Sequence, residues 1–94
     1  MKTVDFNKHF KNVKGEDVEG NMSDSLAETL FNAGAAGFPI DDKDKFRAYK
    51  ISTKLIANNG VIEPDNSDIE LLKTFCAVAF TAGAYGQIVE LLEN

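Results

Sequence analysis

The sequence predicts a mostly α protein, a small helical bundle of three to four helices with an N-terminal arm or short β-hairpin. Apolar residues recur at spacings of three and four over residues 67–80, a pattern typical of a helix with one buried face. Helix caps and an Asn-Asn-Gly stop divide the chain downstream of residue 20 into helical segments. A length of 94 residues with 44% hydrophobic residues suits one small core. We therefore expect a single domain over residues 1–94, with an arm or hairpin at 1–20 and a helical core at 23–94.

The opening section, residues 3–19, differs from the rest of the chain. Its apolar residues follow no sustained helical period, and Gly15 stands in a turn signal between two short runs. We expect a small hairpin or an extended arm, with Gly15 at the turn.

Two helices are predicted in the middle of the chain. The first begins after Ser23 or Ser25 and ends at the glycines of residues 32–38. The second begins near Asp41 or Asp42 and ends at Ala57, where Asn58-Asn59-Gly60 supplies a stop signal. We expect this second helix to present one wide apolar face, formed by Phe46, Tyr49, Ile51, Leu55 and Ile56.

The third helix has the clearest start. Ser67 and Glu70 fit a capping box, and the stripe that follows predicts the central helix of the core. Residues 81–86, which contain two glycines, are expected to break this helix. A short last helix then covers residues 87–92 and packs on the core or forms an oligomer contact, of which we favour the core. The predicted stripe of the third helix comprises Ile69, Leu72, Phe75, Cys76, Ala79 and Phe80.

Residues with catalytic chemistry are sparse. His9 is the only histidine and has no carboxylate at helical spacing, so we interpret it as a solvated side chain. Cys76 is the only cysteine, which excludes a disulfide framework and a cysteine-based zinc site within this chain. The acidic residues at 41, 42 and 44 lack the glycine and the distant glutamate of an EF-hand. We predict no enzyme activity, no cofactor and no metal.

The net charge of −5 lies in the last third of the chain, where six carboxylates face one lysine from residue 61 onward. No basic cluster is present that could displace counterions from a nucleic acid, so we expect no direct nucleic-acid binding. No apolar run reaches the length of a membrane span. We expect no membrane association and a cytoplasmic protein.

A candidate partner surface combines loose aromatic residues with acidic ones. The aromatic members lie outside the main helical stripes, and they either cover the ends of the bundle or form part of a binding site. The acidic members could face a basic partner or a divalent cation, although helix capping accounts for most of them. The candidate residues are Phe6, Phe10, Phe38, Tyr85, Glu63, Asp65, Asp68 and Glu70.

Several segments resemble small proteins encoded by bacteriophages and prophages. They are K-N-V-K-G-E-D-V at residues 11–18, S-L-A-E-T-L at 25–30, R-A-Y-K-I-S-T-K-L at 47–55, V-I-E-P-D-N-S-D-I-E-L-L-K at 61–73 and Y-G-Q-I-V-E-L-L-E at 85–93. Proteins of this group have no established activity, so the resemblance implies no catalytic residue. It implies a protein that is cytoplasmic in a bacterial host or associated with a virion.

Two functional hypotheses follow. The first is a phage or prophage interaction protein that contacts a phage or host protein, or a second copy of itself, in virion assembly or in control of the host. The alternative is an acidic inhibitor whose carboxylates imitate nucleic-acid charge on a host DNA- or RNA-binding protein.

Overall fold

The computed structural model describes residues 2–34 and 40–93, and over these ranges the chain folds into four helices and one small sheet. The helices are α1 (Met22–Phe31), α2 (Asp42–Ala57), α3 (Asn66–Ala79) and α4 (Ala82–Glu93). The strands β1 (Val4–Asp5) and β2 (Val61–Ile62) pair in the antiparallel sense, with Val4 opposite Ile62. The predicted fold class, mostly α with a short β component near the N-terminus, is confirmed.

The first three helices begin at side chains that accept a backbone hydrogen bond. Asn21, Asp41 and Asp65 are the N-caps, and each accepts from the backbone N–H three residues ahead. The start and end predicted for α2 are confirmed. The caps predicted for α1 were wrong, because Ser23 lies inside the helix and is buried.

The capping box of α3 lies two residues before the predicted one. Asp65 accepts from the N–H of Asp68, and the Asp68 carboxylate accepts from the N–H of Asp65. Both pairs, Asp65 with Asp68 and Ser67 with Glu70, have the spacing of a box. Asp65 is used because it directly follows Pro64 in extended backbone, with φ −83° and ψ 178°, which is the conformation of an N-cap.

The predicted break after α3 is present at residues 80–81, but its predicted extent to residue 86 was wrong, because α4 already begins at Ala82 and contains Gly83 and Gly86. Each glycine costs about 1 kcal/mol relative to alanine inside a helix. Burial of Ile88 and Leu92 on the same helix offsets that cost. Packing thus overrides the local signal of the glycines.

The N-terminal section forms a small local hairpin around Gly15, as predicted, and it also pairs with a distant part of the chain. β1 lies against β2, and the N–H of Phe6 donates to the carbonyl of Gly60 at 2.8 Å. Gly15 does lie in a turn, with φ +85°, closed by an isolated bridge between Lys11 and Asp17. Since Val4 and Phe6 are core residues, residues 4–6 are an integral part of the fold.

Gly60 makes the close approach of these segments possible. Its φ is +89°, and a β-carbon there would lie 2.9 Å from the backbone nitrogen of Asn7. Only glycine combines this left-handed conformation with such a contact. Two hydrogen bonds also join the N-terminal section to α4. The Gln87 side-chain amide accepts from the N–H of Lys11 at 2.8 Å and donates to the Lys11 carbonyl at 2.9 Å.

The core lies between the four helices and the sheet, and it takes one side of each helix. α3 buries Leu72, Phe75 and Cys76 of the predicted stripe. α2 buries Ala48, Ile51, Ser52 and Leu55. Among the described residues, no helix has both the length and the apolar character needed to cross a membrane. The core also includes Phe6, Met22, Leu26, Leu30, Ile62 and Ile88.

Candidate functional site

The α1–α2 pair presents large apolar side chains to solvent. Phe31 and Phe46 are each 62% exposed, Ile56 is 59% exposed and Tyr49 is 50% exposed. The wide apolar face predicted for α2 therefore divides, because Ile51 and Leu55 point into the core and the other three point away from it. We call Phe31, Phe46, Tyr49, Thr53 and Ile56 the outer face.

The three aromatic rings of the outer face form a continuous row. The ring centroids of Phe31 and Tyr49 are 6.1 Å apart, and those of Phe46 and Tyr49 are 6.2 Å apart. The ammonium nitrogen of Lys50 lies 5.6 Å from the centroid of the Phe46 ring, within the range of a cation–π interaction. The row therefore spans from α1 across the exposed side of α2.

A groove separates the two helices beside this row. It is open to solvent, holds about 700 Å³ and is lined from α1 by Ala27 and Phe31 and from α2 by Thr53 and Ile56. Its walls are mostly apolar, so it can accept an apolar side chain of another molecule but offers few groups for orienting a polar ligand.

Charged residues border the outer face on both sides, with opposite sign. Asp24 and Glu28 lie along the groove on α1, and we call them the acidic rim. Lys50 and Lys54 lie on the side of α2 that faces α3, and we call them the basic rim. All four are exposed, and among the described residues none of the four takes part in an ion pair. Their charges are thus available to a partner.

The aromatic residues of the predicted partner surface lie in the core or against it. Phe6 is fully buried, and this excludes it from a binding surface in this fold. Phe10 is half-buried, with its ring 6.2 Å from that of Phe80, and Tyr85 packs half-buried against the core. Phe6, Phe10 and Tyr85 therefore lie in the core or cover it, and covering the bundle is one of the two roles considered for them. Phe38 lies outside the described residues.

Two of the predicted acidic residues hold α3 to α2. The Arg47 guanidinium donates to Asp68 at 2.8 Å and lies 3.5 Å from Asp65. The hydrogen bond to Asp68 raises the pKa of Arg47, since it stabilises the charged form. Glu63 and Glu70 are exposed. Asp65 and Asp68 therefore already serve as caps and as ion-pair partners within the chain.

His9 and Cys76, the two residues considered for catalytic chemistry, lie in different environments. His9 is exposed, with its Nδ1 atom 2.6 Å from the carbonyl oxygen of Gly20. Cys76 is buried, and burial raises the pKa of its thiol to about 12, so the reactive thiolate is scarce at neutral pH. Within residues 2–34 and 40–93, no group of three or more His, Cys, Asp or Glu side chains is placed to hold a metal ion.

The outer face was missed at the sequence level, because Phe46, Tyr49 and Ile56 were predicted to share one wide apolar face of α2 with Ile51 and Leu55. One signal was present, since five large apolar residues on one helix of this length span more of its circumference than a single buried stripe occupies. Comparison of the chain with protein-family models, with curated proteins and with solved structures gives no match.

Proposed function

We propose that this chain is a non-catalytic interaction protein that binds another protein through its outer face. The observation that carries the proposal is the exposure of four large apolar side chains on one surface of the α1–α2 pair. Contiguous apolar patches of this kind usually mark binding sites, because leaving them in water is unfavourable. Aromatic residues are common at the centres of protein interfaces, and charged residues are common at their edges.

The biological setting is proposed from the resemblance to small phage and prophage proteins. In that setting the partner is a phage protein, a host protein or a second copy of this chain, and the interaction serves virion assembly or control of the host. The position of His9 and Cys76 is in keeping with a role that involves no catalysis, because His9 is an exposed side chain held at the carbonyl of Gly20, and Cys76 is protonated and buried.

The alternative of an acidic inhibitor has less support. Such a protein needs carboxylates that are free to imitate phosphate groups. Asp65 and Asp68 are engaged with Arg47 and with the first turn of α3, and Glu93 pairs with Lys73. Within the described part of the chain, three of the six carboxylates from residue 61 onward therefore already have ion-pair partners.

A capture experiment with matched variants tests the proposed function. The tagged protein is incubated with lysate of bacteria, with and without phage infection, and bound proteins are identified by mass spectrometry at low and high salt. Ile56→Asp places a charge on the outer face, and Val78→Asp places the same charge on α3, where Val78 is 68% exposed. Circular dichroism verifies that both variants are folded.

We expect the captured protein to be lost with Ile56→Asp and retained with Val78→Asp. Equal retention by both variants would refute the assignment of the outer face. A partner that binds only at low salt and is lost on charge reversal at Glu63 and Glu70 would instead support the acidic inhibitor.

A further inference from the structure

We infer that the partner of the outer face is the outer face of a second copy of this chain, related by a two-fold axis that runs parallel to α1 and α2. In this arrangement each α1 lies on the α2 of the other subunit. The second copy occupies the face assigned above, so the inference rests on the proposed function and specifies its partner.

The relative height of residues on the two helices follows from three close approaches. Phe31 lies beside Tyr49, and the positions of β-carbons on Gly34 and Gly60 would be 2.6 Å from the Lys45 side chain and 3.0 Å from the Ser23 side chain, respectively. The helices are therefore antiparallel. In antiparallel helices, residues at the same height have residue numbers that add up to a nearly constant value, here about 80. Glu28 therefore lies at the level of Ser52.

The charge pattern across the face is asymmetric. In order from α1 to α2, the surface presents the acidic rim of Asp24 and Glu28, then the apolar residues, then the basic rim of Lys50 and Lys54. At 100° per residue, Lys50 and Lys54 fall on the side of α2 that is turned away from α1. The outer face therefore has a negative edge and a positive edge, separated by an apolar centre.

This asymmetry selects one of two ways of stacking two copies. Two identical faces can meet only about a two-fold axis that lies in the plane between them. An axis perpendicular to the helices places each acidic rim on the other acidic rim, which is repulsive. An axis parallel to the helices exchanges the edges, so each acidic rim meets the other subunit's basic rim.

The heights of the charges match in the second arrangement. An axis parallel to the helices leaves the height of each residue unchanged. Glu28, at the level of Ser52, therefore stands between Lys50 and Lys54 of the second copy, and Asp24, at the level of Ile56, stands beside its Lys54. Apolar contact supplies the affinity, and the rims determine the orientation.

Charge-exchange variants test the arrangement. Sedimentation equilibrium over micromolar to millimolar concentrations measures the dimer dissociation constant of the wild type, Glu28→Lys, Lys54→Glu and the control Glu70→Lys. Glu70 is exposed on α3, and its substitution changes the net charge as Glu28→Lys does. Each rim variant turns two symmetric attractions into two repulsions, so we expect each to weaken the dimer about tenfold, whereas the control leaves it unchanged.

Mixing the two rim variants provides the decisive measurement. A heterodimer of Glu28→Lys with Lys54→Glu restores both rim contacts, so the mixture should associate at least about ten times more tightly than either variant alone. Rim variants as tight as the wild type would overturn the crossed arrangement.

A wild type that remains monomeric at all concentrations would overturn the dimer itself. If Ile56→Asp nevertheless lost a captured protein that Val78→Asp retained, the proposed function would stand with a different partner. A dimer that persisted in Ile56→Asp would overturn the inference, because self-association would then use another surface, and the capture experiment alone would decide the assignment of the outer face.

Discussion

α2 and α3 are similar in length and in their number of large apolar residues, but they place these residues differently. α3 buries Leu71, Leu72 and Phe75 and leaves Val78 as its well-exposed large apolar residue. α2 buries Ile51 and Leu55 but exposes Phe46, Tyr49 and Ile56. All but one of the large apolar residues of α3 therefore lie in or against the core, whereas α2 exposes three of its five.

The position of these residues around α2 explains the difference. Its buried side centres between Ile51, Ser52 and Leu55. At 100° per residue, Tyr49 and Ile56 lie about a quarter turn from that centre, and Phe46 lies on nearly the opposite side. A core on one side of the helix cannot reach that far, so Phe46 has no role in the packing of the core.

The largest contrast is expected in thiol labelling. Cys76 and Ala77 are neighbours on α3, one buried and one exposed, and exchanging them moves the thiol by 100° around the helix without changing composition. Because labelling of buried Cys76 requires unfolding, we expect it to be on the order of 1,000-fold slower than labelling at position 77. Stopped-flow thiol labelling at pH 8 measures both rates. Similar rates would show that the core side of α3 is accessible to the reagent in the folded protein.

The raised thiol pKa also gives a pH dependence with a definite sign. The unfolded thiol ionises at its ordinary pKa near 8.5, and the folded one at about 12. Between these values the unfolded state binds fewer protons, so stability falls as pH rises. Urea unfolding from pH 8 to 10 should show a steeper loss in the wild type than in Cys76→Ala. Equal slopes would contradict burial as the cause.

Next in size is the effect of truncating the core side of α3. Leu72 is fully buried, and we expect Leu72→Ala to lower the free energy of unfolding by about 2 to 5 kcal/mol through lost burial and a cavity. Val78→Ala, on the exposed side of the same helix, serves as the control, with an expected change below about 0.5 kcal/mol. Urea denaturation compares them. A loss of similar size in both would mean that the buried side is misassigned.

A smaller difference is expected between the N-caps of the two helices. Asp65 caps α3 within a box and also faces Arg47, whereas Asp41 caps α2 by a single side-chain bond. We expect Asp65→Ala to cost about 1 to 2 kcal/mol and Asp41→Ala about 1 kcal/mol or less. Thermal unfolding followed by circular dichroism ranks the two. The reverse order would indicate that the box and the Arg47 contact add nothing.

The smallest change in stability is expected on the exposed side of α2. Phe46→Ala should alter the free energy of unfolding by less than about 0.5 kcal/mol, while weakening self-association. Urea denaturation at micromolar protein separates the two effects, because dimers dissociate on dilution. A stability loss of several kcal/mol would instead place Phe46 among the core residues and remove the contrast between α2 and α3.

The sequence predicted those elements whose signals are local. α2 was placed correctly because Asp41 and Gly60 bracket it with a cap and a stop, and the stripe of α3 was largely correct because its period is regular. The start of α4 was missed, since Gly83 and Gly86 indicate a break unless the burial of Ile88 is known.

Non-local features could not be predicted in this way. Nothing near Val4 indicates that it pairs with Ile62, because strand pairing depends on the whole fold. The outer face was missed for a related reason. Helical periodicity shows which residues share a side of α2, but the choice of the buried side depends on where α1 and α3 pack. The loose aromatic Phe6 thus proved to be core, and Phe46 proved to be surface.

The pairing of β1 with β2 has a consequence for the protein as it emerges from the ribosome. Synthesis runs from the N-terminus, so Phe6 is made early, but its backbone partner is Gly60 and its strand's partner is Val61–Ile62. α1 and α2 can meet as soon as α2 has emerged, while the first strand must wait for roughly two thirds of the chain. Val4 and Phe6 therefore cannot take their native places until residues 60–62 have been made.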